Sequence, residues 1–281
     1  MPEGPEIHRA ARQLHRAVAG KRVREVVFNA EALGQPDLVA VGKELAGLRV
    51  ESVGARGKAI LTRFESGSVI YSHNQLYGVW MVSQDGSVPE TRRSLRLALH
   101  TEDGPSALLY SASDIEVLDE ESVEAHPYIA ALGPDALDPQ VTEQDLLRRM
   151  ESKTVQGRQL ANLLLDQGFV AGMGNYLRSE VLFRALLHPR ARPRDLGQGA
   201  RETLAESLLT LPRRSLETAG ITNEPAWVER LKAEGAKRPV YRFAVFNRDG
   251  APCLRCETSI QREEVGGRRL YLCPTCQRDP R

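Results

Sequence analysis

No run of apolar residues in this 281-residue chain approaches the roughly 18 that a membrane span needs. The opening Met1-Pro2-Glu3-Gly4-Pro5-Glu6 has neither a basic stretch nor an apolar one, so no secretory leader is visible and a cytoplasmic protein is expected. Charge of one sign is also missing. The 38 Lys/Arg face 37 Asp/Glu, and composition alone does not announce a nucleic-acid partner. Internal repeats and low-complexity tracts are absent, which excludes solenoids and repeat arrays. Cysteine is scarce: four residues, all after position 252. What is there reads as an ordinary globular protein, 41% hydrophobic and 27% charged. Its length suits one large domain or two modest ones.

The balanced charge hides an asymmetry. From Arg178 to Arg214 eight arginines face four acids, and from Trp227 onward twelve Lys/Arg face seven acids. The stretch 117–151 is acidic. A basic C-terminal half permits a phosphate-binding face.

Pro5 suits the first turn of a helix. Ile7, Ala10, Ala11, Leu14, Ala17 and Val18 follow helical spacing up to a stop at Gly20. From Val23 to Leu118 short β-type runs alternate with Gly/Ser/Asp punctuation, the pattern of a sandwich or barrel. Gly133-Pro134 and Asp138-Pro139 mark a linker. Helical patterns follow over 142–150, opened by Thr142 with Asp145 three residues on, then over 158–167, 175–187 and 200–211. The segment 217–239 has no clean period and is expected to be loop with one short helix. Residues 241–276 read as a small β module. The chain is therefore expected to be α+β: an N-terminal helix plus antiparallel β-sandwich (1–130), a helical domain (131–240) and a cysteine-bearing module (241–281).

Four groups of residues carry chemistry. Cys253-Leu-Arg-Cys256 and Cys273-Pro-Thr-Cys276 are two C-x-x-C knuckles sixteen residues apart, a spacing that makes a closed, structural tetrahedral zinc site. Iron in a rubredoxin-like site and reducible thiols are the alternatives. Gly266-Gly267 lies between the knuckles and suits a hairpin turn, presenting Arg268 and Arg269 just past its tip; on their own these would read as solvated surface charges. Gly172-Met-Gly174-Asn175 leads into a helical pattern and could bring backbone close to a phosphate, or equally form a tight helix–helix turn. At the N-terminus, removal of Met1 before the small Pro2 would leave a secondary amine. α-Amino groups have pKa values of about 7.7–8.0, so an appreciable fraction is nucleophilic near neutrality. Attack on a sugar C1′ would give an iminium that is cationic without a proton and acts as an electron sink. Glu3 and Glu6 stand beside it as proton handlers; the plainer alternative is a helix leader with ordinary first-turn acids. Lastly, Gln75-Leu76-Tyr77, within Ser72–Gly78, could wedge into a base stack, or be a strand end with a core leucine.

Together these residues resemble the formamidopyrimidine-DNA glycosylase/endonuclease VIII family, most closely its bacterial endonuclease VIII branch. The resemblance runs through MPEGPEIHRAA at 1–11, RGKAIL at 56–61, YSHNQLYGVW at 71–80, LYSASDIE at 109–116, LLLDQ at 163–167, GNYLR at 174–178 and the four-cysteine ribbon. It implies a helix plus β-sandwich and a helix–two-turns–helix unit with a zinc ribbon, with DNA running between them. It also implies a monomer that acts on damaged double-stranded DNA and holds one structural zinc on Cys253, Cys256, Cys273 and Cys276. By motif position it makes Pro2 the Schiff-base nucleophile and Glu3 the proton donor in base release and ring opening. Lys58 becomes the basic group near the scissile phosphate, and Asn175 and Arg268 the phosphate clamps, with Arg268 also assisting the second elimination. Gln75, Leu76 and Tyr77 become the wedge, and Glu6 joins the DNA-contacting set.

Two departures stand out. The family's endonuclease VIII branch carries an arginine just before Gly-Pro-Asp, where this chain has Ala130-Ala131-Leu132, leaving one expected DNA contact without its arginine. The 217–238 segment looks longer than in close relatives and falls where the family shapes its damaged-base pocket. A glycosylase preferring 8-oxoguanine is the nearest rival reading. A non-enzymatic zinc-ribbon DNA binder is the rival from another class, and it would have no use for Pro2, Glu3 and Lys58 together.

Overall fold

The computed structural model describes residues 2–279; Met1, whose removal is expected above, lies outside the described residues. The chain divides into two compact units. Pro2 and residues 6–131 form the first, and residues 3–5 with Leu132 onward form the second. Among the described residues no helix is long and apolar enough to cross a membrane.

The first unit holds α1 (Gly4–Val18) from Glu6 onward, and the helix's apolar stripe of Ile7, Ala11, Leu14 and Val18 is buried. The strand β1 (Val23–Phe28) leads through a single helical turn, α2 (Ala30–Leu33), to α3 (Leu38–Leu45). Then come β2 (Val50–Arg56), β3 (Ala59–Phe64), β4 (Ser68–His73), β5 (Val79–Ser83), β6 (Leu95–Thr101), β7 (Ser106–Tyr110) and β8 (Asp114–Asp119), followed by α4 (Glu120–Ala125) and α5 (Pro127–Ala130). They make two four-stranded antiparallel sheets, ordered β1-β6-β7-β5 and β2-β3-β4-β8. One core joins both sheets to the helices. Val26, Leu97, Leu99 and Leu109 meet Val53, Ile60, Ile70 and Ile115, with Ile7 and Leu14 of α1 and Leu38 and Leu45 of α3. Each buried Leu or Ile contributes about 1.5–3 kcal/mol relative to exposure, and this core holds the strand ends that carry the polar residues below.

The second unit is helical: α6 (Glu143–Glu151), α7 (Leu160–Leu163), α8 (Asn175–Arg184), a 3₁₀ turn at Pro193–Asp195, α9 (Gln198–Glu217), α10 (Pro225–Ala233) and α11 (Arg238–Tyr241), closed by a hairpin of β9 (Gln261–Val265) and β10 (Arg268–Leu272). Thr142 and Asp145 form a full capping box at the start of α6. Three helices differ from the sequence expectation. The pattern over 158–167 yields only the single turn α7. Asp166 accepts from Arg158 and from the Gly168 N–H, and Gln167 donates to the carbonyls of Leu165 and Met173, so side chains compete for the groups a helix would use. The pattern over 200–211 becomes the 20-residue α9, which runs through Pro212. Leu211, Pro212, Ser215 and Leu216 are all buried, and their packing outweighs the local cost of proline. The helix expected over 175–187 stops at Arg184, because Leu186 turns left-handed at φ 56°.

Candidate active site and phosphate-binding elements

In the first unit, Pro2 is half-buried and Glu6 occupies the first turn of α1. Lys58 follows Gly57, which takes the positive φ (59°) needed to turn β2 into β3. The residue is only 7% exposed, and its backbone N–H donates to the Tyr128 hydroxyl at 2.9 Å. His73, at the end of β4, pairs in register with Ala59 on one side and Asp114 on the other. Burial lowers its pKa, Asp114 opposes that shift, and the Lys58 ammonium adds to it. Its Nδ1 accepts the Gln75 N–H at 3.1 Å, so that nitrogen carries no proton. The rings of Tyr71 and His126 lie 4.2 Å apart at a tilt of 32°, and His73 meets Tyr128 edge-on at 5.0 Å. Burial and the nearby Asp114 push the Tyr71 hydroxyl far above its ordinary pKa.

Residues 75–77 stand on a tight turn. The Gly78 N–H returns to the Asn74 carbonyl at 2.7 Å, and an added Cβ on Gly78 would lie 2.5 Å from that oxygen. The turn holds Gln75 at φ 49°. Ser113 donates to the Gln75 side-chain oxygen at 2.8 Å, and Arg93 donates to the Tyr77 carbonyl. Leu76 is 53% and Tyr77 69% exposed. Leu76 is therefore not a core leucine.

In the second unit, Glu3 is buried at the N-terminus of α8. Its Oε1 accepts the Tyr176 N–H at 2.7 Å and its Oε2 the Leu177 N–H at 3.2 Å, two of the donors a helix start leaves unpaired. The Gly172-Met-Gly174 loop makes the room. A Cβ on Gly174 would lie 2.5 Å from Glu3 Cγ and Oε1. A Cβ on Gly4 would lie 2.9 Å from the Gly172 Cα, and the Gly4 N–H donates to the Gly172 carbonyl at 2.8 Å. Gln167 fixes the loop by accepting from the Gly172 N–H and donating to the Met173 carbonyl. The glycines thus form a socket for residues 3 and 4.

Asn175, half-buried, starts α8. Its Oδ1 accepts from Nη2 of Arg178 at 2.7 Å. Arg178 is fully buried, and its guanidinium also reaches the carbonyls of Ala161 (2.9 Å), Arg269 (3.0 Å) and Arg268 (3.5 Å). Arg268 itself is exposed beside the tip of the β9–β10 hairpin, where Gly266 and Gly267 both take positive φ and Val265 pairs with Arg268. Sequence reasoning missed the burial of Arg178 and the part Glu180 plays in holding the chain that leads to the hairpin. Glu180 accepts the N–H groups of Ala244, Val245 and Phe246 and the Thr222 hydroxyl. The one available signal for Arg178 was its i,i+3 spacing from Asn175.

The four cysteine sulfurs lie within 4.8 Å of one another, with adjacent pairs at 3.4–3.9 Å. A tetrahedron of sulfurs each ~2.3 Å from a central zinc has edges of about 3.8 Å, so these thiols fit one zinc ion. The N–H groups of Arg255 and Cys276 point at the sulfurs of Cys253 and Cys273. With four protein ligands the site has no open position, and zinc there is structural.

The chain is similar to three family models in succession: the formamidopyrimidine-DNA glycosylase N-terminal domain over residues 1–112, the H2TH domain of the same glycosylase over 132–225, and the zinc finger found in FPG and IleRS over 250–278. It is 45% identical over 277 residues to an Endonuclease 8 from Escherichia coli O17:K52:H18, spanning 99% of this chain and all of that one. An Endonuclease 8 from Salmonella arizonae is 44% identical over 278 residues, with the same coverage. Among solved structures, a MutM complex with DNA containing carbocyclic 8-oxo-G is similar at TM-score 0.81 and 20% identity. A Lactococcus lactis formamidopyrimidine-DNA glycosylase bound to DNA with an abasic site is similar at 0.80 and 19%. Each match covers 99% of this chain and 100% of the other, and at these identities the likeness shows the fold. A helix plus sandwich, a helical unit and a four-cysteine hairpin in this order define a DNA glycosylase of base excision repair. The chain belongs to the formamidopyrimidine-DNA glycosylase/endonuclease VIII family.

Proposed function

We propose that this protein is a bifunctional glycosylase and abasic-site lyase that removes oxidised bases, pyrimidines in preference, and cuts the strand by β,δ-elimination. The observation that carries the reading is the Glu3 carboxylate, buried at the start of α8 by a glycine built for it and covalently next to Pro2. A carboxyl group so fixed beside a secondary amine suits acid–base work on one sugar.

The Pro2 nitrogen attacks C1′, and the C1′–N bond breaks with its electron pair going to the base, which takes a proton from Glu3; the proton that the Pro2 nitrogen then gives up restores the Glu3 carboxyl. Glu3 protonates the ring oxygen as the sugar opens, and the amine and C1′ become an iminium. That cation acidifies the 2′-hydrogen. Its loss expels the 3′-phosphate with the C–O pair, and a second proton loss expels the 5′-phosphate. Water then releases the unsaturated aldehyde from Pro2. Lys58 serves the scissile phosphate, Asn175 and Arg268 hold phosphates flanking the extruded nucleotide, and Arg268 assists the second elimination. Gln75, Leu76 and Tyr77 fill the space the base leaves, offsetting the few kcal/mol lost on unstacking; the exposure of Leu76 and Tyr77 supports this.

The pyrimidine preference rests on that contiguous triplet and on the Endonuclease 8 relatives. Single-turnover cleavage of duplexes each bearing one lesion tests it. Thymine glycol and dihydrouracil are expected to be processed faster than 8-oxoguanine opposite cytosine, and the reverse order would assign the protein to the purine-preferring side of the family.

A further inference from the structure

A guanidinium carries only donors, so the side-chain atom of Asn175 that faces Arg178 is the carbonyl Oδ1, and the amide NH2 with its two donors must face away from Arg178. Asn175 and Arg178 lie three residues apart on α8 and share a face. The same Nη2 that fixes Asn175 also reaches the carbonyls of Arg268 and Arg269, at the start of β10. Through Nη1 the guanidinium is anchored to the Ala161 carbonyl in α7.

We propose that Arg178 is a positioning residue: it sets the amide of Asn175 with its donors outward and holds the strand bearing Arg268, so that one buried guanidinium aligns both phosphate contacts. This rests on the reading of Asn175 and Arg268 given above. Burying a guanidinium is costly, and an apolar side chain of similar volume would often pack with equal or better stability. What no apolar side chain supplies is a set of donors for one side-chain oxygen and three carbonyls at once. Burial and the charge of Arg268 bring the Arg178 pKa down to about 10, with Glu3 opposing the shift, so the group keeps its proton at neutral pH. The surrounding contacts add rigidity. Ser179 donates to the Asn175 carbonyl and accepts the Tyr271 N–H, pinning β10 to α8 one residue further on.

The test is a double-mutant cycle on the full-length, zinc-loaded protein. Binding is read with a duplex containing a tetrahydrofuran abasic analogue, at several salt concentrations. Arg178→Met keeps the volume and removes every donor; it is expected to weaken binding roughly tenfold to a hundredfold. In an Asn175→Ala background it should cost distinctly less, because the amide it orients is already gone. Its slope of log K against log salt should fall toward that of Arg268→Ala, by up to about one unit. Arg178→Lys, which keeps a charge and a donor, should restore part of the affinity. Zinc content and melting temperature accompany each variant, and if Arg178→Met does not fold, the cycle is run with Arg178→Lys. Additive effects with Asn175→Ala, or wild-type binding by a folded Arg178 variant, overturn the proposal. Unchanged binding by both Asn175→Ala and Arg268→Ala would instead remove the phosphate reading on which it rests, a result the cycle separates because those variants leave Arg178 in place.

Discussion

Glu3 and Tyr176, 173 positions apart in sequence, are joined by a 2.7 Å hydrogen bond from the Tyr176 N–H to the Glu3 Oε1. A backbone donor at a helix start does not rotate, so this bond and its companion from Leu177 fix the Glu3 carboxylate to main chain. The residue that permits it has no side chain. Gly174 has an ordinary extended backbone, φ −146° and ψ −155°, so glycine is needed there for space and not for its dihedral freedom.

Gly174→Ala should therefore reproduce the loss of Glu3 without touching it. The added methyl displaces the carboxylate, and release of an oxidised base should fall by about 100-fold or more, the scale of a lost general acid. Glu3→Gln should behave alike. Both variants should still cut a pre-formed abasic site to some degree, because that substrate needs no base protonation and relies on Glu3 only for ring opening. Quenched-flow assays on lesion and abasic duplexes separate the two steps; a Gly174→Ala enzyme with unimpaired base release would show that the carboxylate is not needed where it sits.

Acid should act on the turn at residues 75–77 through His73. Its folded pKa lies below the ordinary 6.5 because it is buried and faces Lys58, while Asp114 pulls the other way and the Tyr128 ring carries no charge to it. Between the two values the unfolded chain binds more protons than the native one, so stability rises with pH. The contribution of His73 is complete above about pH 6.5 and is lost as pH falls through the folded pKa. Protonation of Nδ1 also removes the acceptor for the Gln75 N–H. Asp114, whose pKa is raised by burial, has the opposite sign: its contribution is full at low pH and declines as pH rises. Urea unfolding from pH 7.5 to 5.5 should show a steeper loss for the wild type than for His73→Gln. Parallel curves would leave the histidine without a role in that slope.

Zinc should support DNA binding without taking part in the chemistry. Beside the hairpin that carries Arg268 a small core buries Ile260, Tyr271, Cys253 and Cys273 together with Phe183 of α8. Structural zinc contributes on the order of 10–16 kcal/mol to the folding of small modules. Cys256→Ser is expected to lose DNA affinity while the sandwich core of the first unit still melts cooperatively. Calorimetry with a filter-binding assay checks both, and a variant that binds and cleaves normally would contradict the assignment.

Much of this was legible in the residues. The cysteine spacing, the Gly-Gly tip and the Thr142/Asp145 box each specify local geometry that little else can satisfy, and the hairpin and the start of α6 follow. The ends of α7 and α9 were not legible. Asp166 and Gln167 read as helix formers, yet their side chains serve the neighbouring loop, and burial carries α9 through a proline that local preference would not pass. The Gly172–Asn175 run read equally as a phosphate cradle or a tight turn, because its partner Glu3 is remote in sequence. Arg178 was hidden for the same reason. An arginine on a helix reads as solvated until the three carbonyls that meet it are known.

If Pro2 is the nucleophile, any residue left in front of it converts the amine to an amide, which is not nucleophilic and cannot form an iminium. Borohydride should trap the native enzyme covalently on damaged duplex DNA, with the adduct on the N-terminal peptide. A one-residue extension that resists processing should abolish trapping and lyase activity while zinc content and melting temperature stay unchanged. Lys58 is the amine to watch. It is buried in the first unit, and a lysine can form a Schiff base with an opened sugar. Trapping alone therefore does not decide between the two, whereas the extension does. If the extended protein cuts lesions at the native rate and the adduct maps to Lys58, the nucleophile is the lysine and Pro2 is only the residue that leads into α1.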